Sequence, residues 1–196
     1  MKITKLLSVL LSLTGISLLL SSCYSSKKAV ESSLPYSDKI NWPEGYKPSE
    51  AGFFVHNEID IQASPQRIWD ILIHAAKWPE WHKKAQGIVL LNSPDGKLNP
   101  SSVFIWSPAG KFTSTIKEFN PPYNIAWYGE MEGKKMTIYN AWLIIPTKEG
   151  CKVVINESQN GPRTKLEKIF APNMLRKDFR DWLMGLKERA EKKSDN

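Results

Sequence analysis

Cysteine and histidine are scarce in this sequence of 196 residues, which contains two cysteines and three histidines. Two cysteines are too few for the disulfide framework of a small secreted scaffold, or for a zinc site built from several cysteines. His74 and His82 stand eight residues apart, whereas two zinc ligands on one face of a helix are about four apart. The sequence therefore predicts no metal site.

Motifs for nucleophilic and nucleotide-dependent catalysis are also absent. The sequence has no G-x-S-x-G turn that would present a catalytic serine, and no P-loop or G-x-G-x-x-G loop that would hold phosphates. We therefore expect no cofactor. The lack of a catalytic motif argues against an enzyme without excluding one.

No apolar run is long enough to span a bilayer, because the longest, over 6–20, has fifteen residues and a spanning helix needs about 20. Two lysines precede this run, and small residues follow it up to Cys23. This order indicates a secretory signal peptide over 1–22. The segment Leu20-Ser21-Ser22-Cys23 resembles the bacterial lipobox, which implies that Cys23 is the lipidated first residue of the mature chain. The alternative is an uncleaved anchor with a chance cysteine.

Lipidation at Cys23 would hold the exported chain at a membrane and would leave Cys151 without a disulfide partner. Tyr24 stands where an aspartate retains enterobacterial lipoproteins at the inner membrane. The resemblance therefore implies a location in the cell envelope, on the periplasmic side of the outer membrane if the host is Gram-negative. Residues 23–51 are polar and rich in turn formers, and they are predicted to include a tether.

The formal net charge of +7 comes from 27 basic and 20 acidic residues. The basic residues form pairs in separate places, and acidic residues interleave with them over 176–189. Nucleic-acid-binding domains instead cluster basic residues on one face. We therefore expect no nucleic-acid partner and interpret the charges as a solvated surface.

Strand and helix patterns follow one another in a defined order over 52–191. Alternating apolar residues predict a strand over 53–61, and Ser64 followed by Pro65 predicts the start of a short helix. A second, very short helix is predicted at 78–82. Turn-like segments then separate further strands, at about 86–92, 102–108, 111–119, 123–131, 134–146 and 150–159.

The end of the chain is predicted to be helical. Apolar residues recur there at the spacings of three and four that mark one buried helix face, at Leu175, Phe179, Trp182, Leu183, Leu186 and Ala190. Pro172 is predicted to kink this segment or to separate the long helix from a short one at 164–170. Residues 192–196 form a polar tail.

This order of elements resembles the START-like, or SRPBCC, superfamily, which includes polyketide cyclases and lipid-transfer domains. The matching segments, in family order, are 59–72, 78–81, 121–129 and 141–161. Asn140 departs from the pattern, because many relatives have histidine there. The resemblance implies an α+β helix-grip fold, in which a curved antiparallel sheet of six to seven strands wraps around a long C-terminal helix. Two short helices follow the first strand in this fold.

The resemblance also implies an apolar cavity between the sheet and the long helix. By register with the family, the expected ligand-binding residues are Trp78, Trp81, Phe104, Trp127, Met136, Ile138, Asn140, Trp142, Glu157, Phe179 and Trp182. Apolar walls with a few polar groups are typical of small-molecule sites. The alternative is that the same side chains fill a core.

Three functions remain open at this stage. The first is a membrane-anchored, monomeric protein that binds a hydrophobic small molecule, such as a lipid, an isoprenoid or a polyketide-like compound. The second is a cyclase- or dehydratase-type enzyme with Glu157 or His82 as the proton-transfer group, since burial would raise the pKa of a glutamate. The third is a protein-interaction module. For Glu157 the alternative is an ion pair with Arg163 or a nearby lysine, or a place on the rim, and for His82 it is a surface position.

Overall fold

The computed structural model describes residues 34, 36–108 and 110–192. They fall into two compact units that divide between Glu50 and Ala51. The predicted signal peptide, the predicted lipidation site Cys23 and residues 193–196 of the predicted tail lie outside the described residues. No helix in the described part of the chain is both long and apolar enough to cross a membrane.

The first unit has one short turn of 3-10 helix among its described residues, Ser37–Lys39. The indole Nε1 of Trp42 donates to both the hydroxyl and the carbonyl oxygen of Ser37, each at 3.1 Å. The backbone N–H of Gly45 donates to the Glu50 carboxylate at 3.0 Å. Local hydrogen bonds of this kind order a segment that forms no strand in its described part.

The second unit combines seven strands with three α-helices over its described residues. The strands are β1 (Phe53–Ile61), β2 (Val89–Leu90), β3 (Val103–Trp106), β4 (Phe112–Asn120), β5 (Asn124–Met131), β6 (Thr137–Pro146) and β7 (Cys151–Asn160). The helices are α1 (Pro65–Ile73), α2 (Pro162–Phe170) and α3 (Met174–Glu191). Two turns of 3-10 helix lie at Ala75–Glu80 and Glu132–Lys134.

The strands form one curved antiparallel sheet in the order β1-β7-β6-β5-β4-β3-β2. Strands β2 to β7 are neighbours in sequence as well as in space, and β1 joins the sheet by pairing with β7. The apolar face of α3 packs into the same core as the inner face of the sheet. The predicted helix-grip fold is therefore confirmed.

The sequence signals at the start of α1 act as expected. The hydroxyl of Ser64 accepts a hydrogen bond from the backbone N–H of Arg67, and Pro65 occupies the first turn, where its missing N–H costs nothing. The helix predicted at 78–82 begins three residues earlier and ends two residues earlier, and it is 3-10 helix, Ala75–Glu80. This placement orients the indole of Trp78 so that its Nε1 donates to the carbonyl of Leu72 at 2.8 Å.

The strand predicted at 86–92 is much shorter, because only Val89–Leu90 pairs with β3. Gly87 has a φ of +64°, which breaks extended backbone at its start. At its end the side chain of Asn92 bonds to the backbone of Ser101 and Val103 in place of strand pairing. Side-chain bonds of this kind compete with a regular ladder.

The proline in the C-terminal region separates two helices. The segment Ala171-Pro172-Asn173 lies between α2 and α3, which confirms the second of the two predicted arrangements. A proline cannot donate the backbone bond that a continuous helix would need. The predicted apolar stripe of α3 is buried from Phe179 onward, whereas Leu175 is half-buried near the start of the helix.

Candidate ligand-binding site

A cavity of about 60 Å³ lies between the inner face of the sheet and helices α2 and α3. Its apolar wall consists of Trp106, Pro108, Phe112, Met131, Met136, Ile138, Met174, Leu175, Phe179 and Trp182. Its polar lining consists of His82, Lys84, Glu157, Gln159, Glu167 and Asp178. Small-molecule pockets typically have volumes of roughly 300–1,000 Å³, so this cavity is small. A ligand of ordinary size needs a larger space.

Flexible side chains line the part of the cavity near α2. Met131, Met136 and Met174 all contribute to the wall, and methionine fills irregular gaps by adjusting three soft torsions. Met174 is 39% exposed and begins α3 directly after the break that follows α2. The wall can therefore rearrange near this break without loss of strand hydrogen bonds.

Aromatic side chains fill the rest of the interior. Trp78 and Trp127 lie with ring centroids 5.9 Å apart, and Trp182 contacts Trp142 edge to face at 5.0 Å. Trp78, Phe104, Trp127, Asn140 and Trp142 are fully buried and do not line the cavity. For these five predicted ligand-binding residues, the structure shows a filled core. The cavity instead occupies the end of the sheet nearest α2.

His82 is buried against α3 and lies on the cavity wall. Its ring stacks on Trp182, with centroids 4.6 Å apart and planes only 3° from parallel. Burial lowers the pKa of His82 to about 4, so the ring is neutral at physiological pH. The alternative of a surface histidine is thus wrong.

The backbone of Trp81 approaches α3 closely at a glycine. A Cβ atom at Gly185 would lie 2.5 Å from the carbonyl oxygen of Trp81, so a larger residue there would displace the loop. Trp81 itself lines a separate surface groove with Met184 and Glu188 rather than the cavity. His82, the next residue along the chain, stacks on Trp182 of the same helix.

Glu157 is a buried carboxyl group in the cavity wall. Asn140, directly opposite it on β6, donates from Nδ2 at 2.8 Å, and Gln159 donates from Nε2 at 2.8 Å. Burial raises the pKa of Glu157 to about 7, against the lowering effect of these two hydrogen bonds. Nearby Glu167 raises it further. The group therefore changes its charge near neutral pH.

The two amides that bond Glu157 each keep a carbonyl oxygen without a partner. Asn140 Oδ1 and Gln159 Oε1 are buried and accept no hydrogen bond. This orientation suits the ionised form of Glu157, because an ionised carboxylate only accepts hydrogen bonds and each NH₂ group then points toward it. A buried acceptor without a donor is costly. Together with the Glu157 carboxylate, the two amides place three groups that accept hydrogen bonds in and beside this wall.

The basic residues near Glu157 are engaged with other carboxylates. Arg163 donates from Nε to Glu167 at 2.9 Å, and Lys84 pairs with Asp178. Over the described residues, no cation lies within ion-pair distance of Glu157. The expected alternative of a Glu157–Arg163 pair is therefore wrong. No three histidine, cysteine, aspartate or glutamate side chains in this part of the chain come together as a metal site.

The family assignment rests on the sequence of the second unit. The family model described as polyketide cyclase / dehydrase and lipid transport matches residues 53–191, which is most of the chain. The chain belongs to this family. The predicted membership of the START-like superfamily is thus confirmed, whereas the lipoprotein signal peptide remains a prediction. No curated protein matches the sequence.

Solved structures share the fold at low sequence identity. The hypothetical protein jhp0584 from Helicobacter pylori is 24% identical, with a TM-score of 0.72 over 78% of this chain and 96% of that one. Norcoclaurine synthase from Thalictrum flavum is 14% identical, with a TM-score of 0.55 over 72% of this chain and 95% of that one.

The di-domain ARO/CYC protein StfQ, from the steffimycin biosynthetic pathway, is another similar structure. It is 15% identical, with a TM-score of 0.58 over 70% of this chain, and the match covers half of StfQ. At these identities the likeness to solved structures establishes the fold alone. Function has to be argued from this chain's own site.

Of the predicted ligand-binding residues, the structure brings five to the cavity wall, namely Met136, Ile138, Glu157, Phe179 and Trp182. Sequence reasoning missed Gln159 and Met131, although strand alternation from Glu157 and Trp127 places both on the inner face. It also missed Glu167, for which no local signal exists, because only the packing of α2 brings that residue to the cavity.

Proposed function

We propose that this protein is a membrane-anchored binding protein for a hydrophobic small molecule, which it sequesters or transfers. A lipid, an isoprenoid or a polyketide-like compound fits this description. The observation that carries the proposal is the cavity beneath α3, with mostly apolar walls and a buried carboxyl group. The family description, which names both polyketide cyclase and lipid transport, supports the same class of ligand.

Binding energy would come mainly from the apolar wall. Removing apolar surface from water contributes about 25 cal/mol per Å², so a ligand that buries roughly 200 Å² would gain about 5 kcal/mol. Because the cavity is only about 60 Å³, part of that gain offsets the movement needed to admit a ligand. The adaptable methionines near Met174 make this end of the cavity the natural place for such movement.

Membrane anchoring enters the proposal through the predicted lipidation of Cys23. Each buried methylene of an acyl chain contributes about 0.8 kcal/mol to membrane attachment, and stable anchoring takes at least two chains. The tether would keep the cavity close to a source of apolar ligands. The proposed location is the cell envelope, on the periplasmic side of the outer membrane in a Gram-negative host.

One observation favours a second candidate, an enzyme of the cyclase or dehydratase type. Burial raises the pKa of Glu157 to about 7, where a general acid or base works best at neutral pH. His82 fits that role less well, because burial lowers its pKa to about 4.

Identifying the compounds that co-purify with the protein tests the binding function. The full chain would be isolated from membranes in mild detergent, and its bound small molecules extracted and identified by mass spectrometry. Leu175→Trp places a large ring on the cavity wall, whereas Leu166→Trp makes the same change at an exposed position on α2 outside the cavity.

We expect one apolar compound per chain with the wild type and with Leu166→Trp, and its loss with Leu175→Trp. Equal retention by both variants, or no compound with the wild type, would contradict binding in this cavity. To separate the two functions, the identified compound is incubated with the wild type and with Glu157→Gln. Conversion by the wild type alone would support the enzyme, whereas binding without conversion supports the carrier.

A further inference from the structure

We infer that the cavity selects an apolar ligand whose headgroup donates hydrogen bonds, an amine before an alcohol, and that it discriminates against a carboxylate. This inference rests on the proposed function and names the class of ligand for that site. It follows from the hydrogen-bonding groups around Glu157, which accept far more than they donate.

Two acceptor groups, Glu157 and Gln159, line the polar end of the cavity, and Asn140, which is bonded to Glu157, adds a third beside the wall. The carboxylate of Glu157 uses its two oxygens for one amide each, and a carboxylate can accept about four hydrogen bonds. Gln159 Oε1 and Asn140 Oδ1 are buried without donors. Glu157 and Gln159 belong to the cavity wall itself, so a headgroup seated there meets oxygen atoms first.

The charged groups that line the cavity from the surrounding elements are consistent with a preference for a headgroup that donates hydrogen bonds. Glu167 on α2 is paired with Arg163, and Asp178 on α3 is paired with Lys84. These pairs leave the ionised Glu157 carboxylate as the charge without a counterion. A ligand ammonium would supply that counterion, whereas a ligand carboxylate would place a second negative charge beside it.

The donors on the wall do not reverse the preference. Lys84 has its ammonium bound to Asp178 and about half exposed to water, so a carboxylate gains little by competing for it. The indole Nε1 of Trp182 has no hydrogen-bond partner, but it is neutral and cannot offset a ligand charge. His82 is neutral because burial lowers its pKa to about 4.

Matched probes test the headgroup directly. Hexylammonium, 1-hexanol and hexanoate share one alkyl chain and differ in the headgroup alone. Their dissociation constants for the full chain in detergent micelles would be measured at pH 8 by saturation-transfer NMR and by tryptophan fluorescence, with empty micelles as the blank. Glu157→Gln removes the charge with little change of shape, and Glu149→Gln removes one exposed carboxylate in the β6–β7 turn as the matched control.

We expect the wild type to bind hexylammonium at least about tenfold more tightly than hexanoate, as a charge-assisted hydrogen bond would give. Glu157→Gln should reduce this ratio to within about threefold and keep its affinity for 1-hexanol, whereas Glu149→Gln should keep the full ratio. Lowering the pH from 8 to 6 should also reduce the ratio in the wild type, because Glu157 becomes protonated and His82 stays neutral.

The results that contradict the headgroup preference differ from those that contradict the binding function. Equal or tighter binding of hexanoate, or a ratio unchanged in Glu157→Gln, overturns the headgroup inference while 1-hexanol binding leaves the binding function in place. If none of the three probes binds, the proposed function and the inference both fail. The pH series needs no substitution, so it decides the question even if Glu157→Gln does not fold.

Discussion

Replacing Glu157 by glutamine is expected to change how the stability of the protein depends on pH. Burial raises the pKa of Glu157 from an ordinary value of 4.5 to about 7 in the folded state. Between these values the folded protein holds a proton that the unfolded chain has released. The stabilisation from the protonated group is therefore fully present below pH 4.5 and is lost as the pH rises through 7.

The size of the effect follows from the same two values. The interval between 4.5 and about 7, at about 1.36 kcal/mol for each pH unit, corresponds to roughly 3 kcal/mol. Glutamine carries no titrating proton, so its variant lacks this loss. We therefore expect the free energy of unfolding of Glu157→Gln, relative to the wild type, to increase by roughly 3 kcal/mol between pH 4.5 and pH 8.

Urea unfolding of both proteins at several pH values measures this difference. The comparison cancels every other titrating group that the substitution leaves alone. Glu149→Gln is the matched control, because that side chain is exposed at the β6–β7 turn, and its difference from the wild type should stay flat. If the difference in free energy of unfolding between Glu157→Gln and the wild type also changes by less than about 0.5 kcal/mol over this pH range, the burial of an uncompensated carboxyl group is refuted.

Three further predictions concern burial elsewhere. Burial lowers the pKa of His82 to about 4, so protonation of the unfolded chain destabilises the wild type relative to His82→Gln as the pH falls from 6.5 to 4. The difference between their free energies of unfolding should therefore shift by up to roughly 3 kcal/mol over this range. A difference that stays constant in urea unfolding would contradict the burial of His82. Phe104→Ala should lower the free energy of unfolding by about 3–5 kcal/mol. Phe170→Ser, at a side chain 79% exposed, should change it by less than about 0.5 kcal/mol. Equal effects of the two substitutions in chemical unfolding would be inconsistent with the packing. Cys151 is 1% exposed and burial raises its pKa, so a thiol reagent should modify it only after unfolding, and prompt reaction of this thiol in the native protein would count against the structure.

Strand alternation made much of the site predictable. Because side chains two residues apart point to the same face, Ile138 could be placed on the inner face of β6 together with Asn140, and Met136, directly before β6, on the same side. The same rule places Glu157 on the inner face of β7, directly across from Asn140. Both signals are local, and neither requires knowledge of how the helices pack.

The division between cavity wall and filled core could not be predicted in this way. Trp142 and Ile138 lie on the same face of one strand, yet only Ile138 reaches the cavity. The difference depends on where α3 and the tryptophans close the interior, since Trp182 packs edge to face on Trp142. How close a strand residue lies to a helix from another part of the chain cannot be inferred from the local sequence pattern.

The sequence by itself determined the order of the elements, the residues that face inward along the strands and an interruption of the C-terminal helical region at Pro172. These features depend on the period of apolar residues and on the backbone limits of proline and glycine, which act over a few residues. Only the tertiary structure decided that Glu157 has two amides and no cation for neighbours, and that Glu167 stands near it. Burial and electrostatic surroundings are properties of all the elements packed around a group, so they emerge only when the chain has folded.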